Sequence, residues 1–167
     1  MIKKIILTLL FFGALPTVQA EPAVGFGAVD IQTRVGKIFT TDIVITGFPL
    51  TEGGGVSLVY DPNSLRVLGV TLNSGVWDFV NHPGVTDNAN GVISDILFSS
   101  YNGVSGDAII ATVSFKALTI GESTLTLAES SANPFAGAGQ RIAPSFTSSN
   151  VSIARASLGG CYGSCHR

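Results

Sequence analysis

Beyond its first twenty residues the chain carries no sustained apolar stripe at helical spacing. Short β-branched runs recur instead, each closed by Gly, Pro, Asn or Asp. That rhythm predicts strands stacked in a sandwich or barrel. Phe39 to Thr46 reads as a strand with Phe39, Ile43 and Ile45 inward, because strand side chains alternate with a period of two. Val56, Leu58 and Tyr60 share one face of the next, which the Asp61-Pro62-Asn63-Ser64 turn ends. Leu65 to Leu72 returns. Asn90-Gly91 predicts a tight hairpin turn before Val92 to Phe98, since both residues tolerate positive φ. Ala108 to Ala117 predicts Ile109, Ala111, Val113 and Phe115 inward and Thr112, Ser114 and Lys116 outward. Ser123 to Leu127 and Val151 to Ile153 alternate in the same way. With an N-terminal strand around Val24 to Gln32, the count is roughly nine. The expected fold class is all-β, a two-sheet β-sandwich with jelly-roll-like topology. Residues 132–149, with Pro134, Gly137, Gly139 and Pro144, predict loop.

The two ends read differently. Lys3 and Lys4 precede an apolar run from Ile5 to Leu15; Pro16 breaks it, and Val18-Gln19-Ala20 supplies small residues around a cleavage site. Residues 1–20 therefore predict a secretory signal peptide. Residues 21–154 form one sandwich domain, and 155–167 a flexible tail rich in small residues. The protein is expected to be secreted, extracellular or at the cell surface, with the periplasm as the other compartment, and to insert into no membrane after cleavage. Both cysteines, Cys161 and Cys165, fall in the tail. In an oxidising compartment they predict a small disulfide loop; the spacing is one residue too wide for Cys-x-x-Cys-His haem attachment.

Charge narrows the partners. Charged residues are 12% of the chain, and the formal net charge is −2. Cleavage removes two lysines and makes the remainder more acidic. Without a Lys/Arg run, nucleic acid and anionic lipid are expected to be poor partners. Nor does a catalytic constellation emerge. The histidines are His82 and His166, no Gly-x-Ser-x-Gly elbow occurs, and Glu21, Glu52, Glu122 and Glu129 are scattered. Asp87-Asn88-Ala89-Asn90-Gly91 fails the EF-hand spacing in either register, so it predicts a turn, leaving calcium only some other loop geometry. No metal, no cofactor and no enzymatic activity are expected.

A family pattern runs through these strands. Gly55 to Val67, reading Gly-Val-Ser-Leu-Val-Tyr-Asp-Pro-Asn-Ser-Leu-Arg-Val, resembles the cohesin strand that ends in Tyr-Asp-Pro. Val35-Gly36-Lys37-Ile38-Phe39 is similar to the family's opening strand. Ser105 to Lys116 resembles its Gly-rich entry into a strand ending Phe-Lys. The resemblance covers about residues 24 to 153 in order and spacing. It implies a non-catalytic module that binds a dockerin-like or other secreted protein and serves polysaccharide degradation or surface assembly. It places family contact positions at Gly53, Gly55, Asp87, Ser99 and Asn102. The expected binding face combines Ser57, Val59, Asp87, Ser99, Asn102, Thr112 and Ser114, with the Tyr60 hydroxyl reaching toward a partner. The alternative is a carbohydrate-binding module that stacks polysaccharide on Trp77 and Tyr101.

Overall fold

A computed structural model describes residues 21–156, so the signal-peptide expectation and the Cys161–Cys165 pairing lie outside the described residues. The described chain is all strand and loop. Its strands are β1 (Ala23–Phe26), β2 (Asp30–Arg34), β3 (Ile38–Val59), β4 (Leu65–Leu72), β5 (His82–Asp87), β6 (Val92–Ala117), β7 (Gly121–Glu129), β8 (Ala136–Gly137), β9 (Gln140–Arg141), β10 (Ser145–Phe146) and β11 (Ser149–Ala154). They form one hydrogen-bonded sheet that curls into two facing layers. The β-sandwich expectation holds.

β3 and β6 build both layers because each bends midway. Their first contact pairs Ile38–Ile45 with Ala108–Lys116, flanked by β1 and β4; their second pairs Gly53–Val59 with Val92–Ser99, flanked by β5 and β7. The corner between them carries Gly47, Gly103 and Gly106, all at positive φ. Glycine occupies that region without steric cost. The Gly47 N–H donates to Asp107 Oδ1 at 2.8 Å and pins the two bends together.

The N-terminal run splits where a single strand was expected. β1 pairs with β3 in one layer, and β2 pairs in parallel with β11 in the other. The chain crosses at Gly27–Val29, an exposed segment, which is the sheet switch of a jelly roll. One inward assignment also fails. Ile109 is 38% exposed, whereas Ile110 is fully buried. A register shift between Ile43 and Val44 makes Ile110 the extra residue of a β-bulge, and a bulge reverses the facing of all that precedes it. From Ala111 onward the predicted parity is correct, with Ala111, Val113 and Phe115 buried.

The core lies between the layers. Ile43, Ile45, Leu58, Leu65, Ile93, Ile96, Val113, Phe115, Leu125 and Val151 fill it. Phe115 stacks on Phe39 and meets Tyr60 edge-on. The loop-rich segment contributes Phe135, fully buried among Phe48, Phe98 and Phe146. β8 and β9 form a hairpin with Ala138 at φ 48° and Gly139 at φ 72°, as a two-residue turn of the primed type requires.

Candidate functional site

The sheet face made by β5, the first half of β6, the second half of β3 and β7 has its outer side open. Cross-strand partners point the same way, so the register reads out that surface. His82 lies opposite Leu97, which lies opposite Gly55; Asp87, Val92, Val59 and Thr126 form a second row. Val85 sits opposite Ser94, and Ser57 opposite Ala128. Val59 and Val85 are well exposed, while Val92 and Leu97 are half-buried. The face is apolar along its middle and dotted with hydroxyls.

Ser57, Val59, Asp87 and Ser99 therefore fall on or at the edge of one surface, and exposed Asn102 lies in the corner segment beside it. Thr112 and Ser114 do not join them. They belong to the half of β6 that crosses to the other layer, opposite Asp42 and Thr40, and Thr112 Oγ1 donates to Asp42 Oδ1. The expected seven-residue face is thus split between opposite sides of the sandwich, because β6 bends after Ser99. Leu97, Val85, Val92 and Thr126 were missed. Alternation marks them as outward, but only the register puts them together.

The side chains on this face are partly committed to the fold. Ser57 Oγ accepts from the Asp95 N–H at 3.3 Å. Ser99 Oγ donates to the Val80 carbonyl and accepts its N–H, at 2.8 and 2.9 Å. The Asp87 carboxylate is held below the ordinary aspartate range by the Asn90 side-chain amide and then by the Asn90 and Ala89 N–H groups. These are the bonds of a turn. Tyr60 does not reach outward: its hydroxyl donates to Asn88 Oδ1 at 2.8 Å, and burial followed by the Asp87 charge raises its pKa.

Gly53, Gly54 and Gly55 are all buried. Gly53 pairs with Ser99 on one side and Ala136 on the other. Ser130 N–H donates to the Gly55 carbonyl at 2.9 Å, and Asn133 Nδ2 to the Gly54 carbonyl at 3.1 Å. A Cβ at Gly55 would come within 2.7 Å of Leu97 and 2.8 Å of Ser130; one at Gly54 would lie 2.8 Å from the Phe135 ring. The glycine run is therefore a bed for the 130–137 segment, which covers two positions where the resemblance places contacts.

The aromatic alternative is also rearranged. Trp77 has no exposed surface; its Nε1 donates to the Ile109 carbonyl at 3.0 Å and its ring meets Phe98 edge-on. It cannot stack a sugar. Tyr101 is 70% exposed and packs against Phe79, itself 53% exposed, with centroids 4.1 Å apart and planes tilted by 49°. The pair opens onto a groove of about 520 Å3 that also touches Glu52, Leu97, Ser99, Asn133 and Pro134. Beneath it, the Tyr101 N–H and then the Ser100 hydroxyl hold the Asp78 carboxylate below its ordinary pKa. Among the described residues no three His, Cys, Asp or Glu side chains come together to hold a metal.

No protein-family model matches the chain, and no curated protein matches it by sequence. Solved structures do. A non-cellulosomal cohesin from the hyperthermophilic archaeon Archaeoglobus fulgidus superposes with a TM-score of 0.67 at 18% identity, covering 81% of this chain and 92% of that one. A type I cohesin from Clostridium thermocellum, solved in a cohesin–dockerin complex, gives 0.69 at 16% identity over 86% and 100%. A cohesin from Clostridium acetobutylicum gives 0.61 at 16% identity over 78% and 90%. At such identities the likeness is one of fold, and the chain has the cohesin fold.

Proposed function

We propose that this chain is a secreted, non-catalytic docking module whose open β5–β6–β3–β7 face receives a dockerin-like protein, in the service of polysaccharide degradation or surface assembly. The observation that carries the reading is that face: open, and apolar through Val59, Val85, Val92 and Leu97 between hydroxyl-bearing positions. Interfaces of this kind concentrate their affinity in a few central apolar anchors. The likeness in fold to cohesins solved with dockerins supports the choice of partner. With Gly53 and Gly55 covered by residues 130–137, recognition falls on the apolar rows. Capture from the source organism's secretome tests this. The mature protein should retain calcium-loop dockerin proteins, and Val59→Arg with Val85→Arg should lower that retention about tenfold or more. Unchanged retention by the double variant would sink the assignment of the face.

A second reading has one observation in its favour. The Phe79–Tyr101 pair, with Glu52 and Asn133 lining the same groove, offers an apolar ring surface and hydrogen-bonding groups, the combination that recognises a pyranose. Affinity electrophoresis in gels containing cellulose, xylan or chitin should then retard the protein, and Tyr101→Ala should abolish the retardation. Equal mobility in all gels would remove this reading.

A further inference from the structure

The fold collects the cations. Six Lys and Arg residues lie in the described chain: Arg34, Lys37, Arg66, Lys116, Arg141 and Arg155. Five of them come from four stretches of the sequence, yet lie toward one end of the sandwich, Arg66 and Lys116 on the outer side of one layer and Arg34 on that of the other. Arg66 is the cross-strand partner of Lys116, and Lys116 is also the partner of Ile38. The Lys37 carbonyl accepts the Ala117 N–H at 2.9 Å, and the Lys37 N–H donates to the Arg34 carbonyl at 3.0 Å. Arg34 lies opposite Ala154, the residue before Arg155. All five are exposed. The ion pair among the described residues belongs to the sixth, Arg141, with Glu129. Two cations directly opposite on a sheet, as Arg66 and Lys116 are, repel each other. Stability alone gives no reason to keep them.

The same end presents bare aliphatic side chains. Ile38 is 63% exposed, Ile120 53% and Leu118 37%. Among the described residues the carboxylates sharing it are Asp61, Asp87 and Glu122. The first two are tied into their own turns, and the third accepts the Ser152 hydroxyl. Among the described residues, five cations against three carboxylates leave the end positive on a chain that is acidic as a whole.

Against the expectation drawn from the absence of a Lys/Arg run, which the fold makes up for by bringing separate cations to one end, we infer that this end is an attachment surface for an anionic lipid bilayer. Lysine and arginine are drawn to anionic headgroups, and exposed isoleucine and leucine enter the headgroup–acyl boundary beside them. The aliphatic residues favour lipid over a hydrophilic polyanion, which gives them nothing to enter. Standing on this end, the sandwich holds the side face β5–β6–β3–β7 upright, with its Asp87–Val92–Val59–Thr126 row nearest the membrane. The inference is independent of what that face binds.

Co-sedimentation of the mature protein with vesicles tests it. Vesicles of phosphatidylglycerol with phosphatidylcholine should carry the protein down at low salt, and vesicles of phosphatidylcholine alone should not. Raising the salt should release it. Lys37→Glu with Lys116→Glu should weaken the association about tenfold or more. Ile38→Ser with Ile120→Ser should weaken it on vesicles but leave retention on a dextran sulfate column unchanged. All four positions are exposed, so unaltered melting is the control for folding. If the charge reversals disturb it, Arg34→Gln with Lys116→Gln replaces them. No association with anionic vesicles, or association indifferent to the charge variants, overturns the inference. Vesicle binding indifferent to the isoleucine variants, matched by dextran sulfate, overturns it in favour of a polyanionic polymer.

Discussion

Replacing Gly54 by alanine tests whether the glycine run is a bed for packed chain. Gly54 has an ordinary backbone conformation, so no φ strain accompanies the change. The new methyl would lie 2.8 Å from Phe135 Cδ1 and 2.9 Å from Cγ. Carbon atoms in proper contact sit about 3.5–4.0 Å apart. Phe135 must therefore move by the better part of an ångström. It is fully buried and hemmed in by Phe48, Phe98 and Phe146 at centroid distances of 5.4, 5.6 and 6.4 Å. Overpacking of this kind costs about 1–3 kcal/mol. Restricting the unfolded chain returns about 0.4–1 kcal/mol. The net loss is about 1–2 kcal/mol, a fall in Tm of roughly 4–8 °C for a domain of this size. Thermal melting followed by the fluorescence of Trp77, the single tryptophan, reads it directly. Trimming the ring in Gly54→Ala, Phe135→Leu should recover part of what the first change loses. A Gly54→Ala protein that melts at or above the parent temperature would refute the bed, and with it the account of why glycine stands there.

Asn88 is the second test. Its Oδ1 accepts from the Tyr60 hydroxyl and the Val67 N–H, both at 2.8 Å, and its Nδ2 donates to the Val67 carbonyl at 3.1 Å. Asn88→Ala leaves these groups without partners and should cost about 1–3 kcal/mol in denaturant unfolding; a midpoint unchanged from the parent would contradict the role. Trp77→Phe removes the donor to the Ile109 carbonyl and leaves a void, so a loss of about 2 kcal/mol is expected, while parent emission should be blue-shifted when folded and move red on unfolding. Asp61, Asp78 and Asp87 all have depressed folded-state pKa values, set chiefly by the Ser64 hydroxyl, the Tyr101 N–H and the Asn90 amide. Their contribution is present above the unfolded aspartate value of about 3.9 and disappears as pH falls through the folded values. Melting temperature should hold steady near neutrality and decline below about pH 4; a flat profile into strong acid would show that these turns add nothing.

Much of the architecture was legible because it is written in alternation. Val56, Leu58 and Tyr60 on one side, and Ala111, Val113 and Phe115 on another, are local patterns set by the strand pleat. The Tyr-Asp-Pro turn declares itself through its turn residues. The hairpin before Val92 was placed correctly, but its loop is the four residues 88–91, with Gly91 and not Asn90 at positive φ. The candidate face was legible only in part. Ser57 and Val59 were placed with Asp87 and Ser99 because neighbouring strands carry them. Thr112 and Ser114 were placed there wrongly, since nothing in the alternation of Val92 to Ala117 marks the corner where β6 changes layers.

The chain's own pattern determined the strands, the turns and the all-β class, for each depends on residues within a few positions of one another. Tertiary structure decided the rest. The bulge at Ile110 reversed the facing of Ile109, and the 130–137 segment came to lie on Gly53–Gly55. Trp77 closed into the core and left Tyr101 with Phe79. Arg34, Lys37, Arg66, Lys116 and Arg155 came to one end from four places in the sequence. These outcomes follow from register and layer crossing, which are set by contacts between residues far apart along the chain.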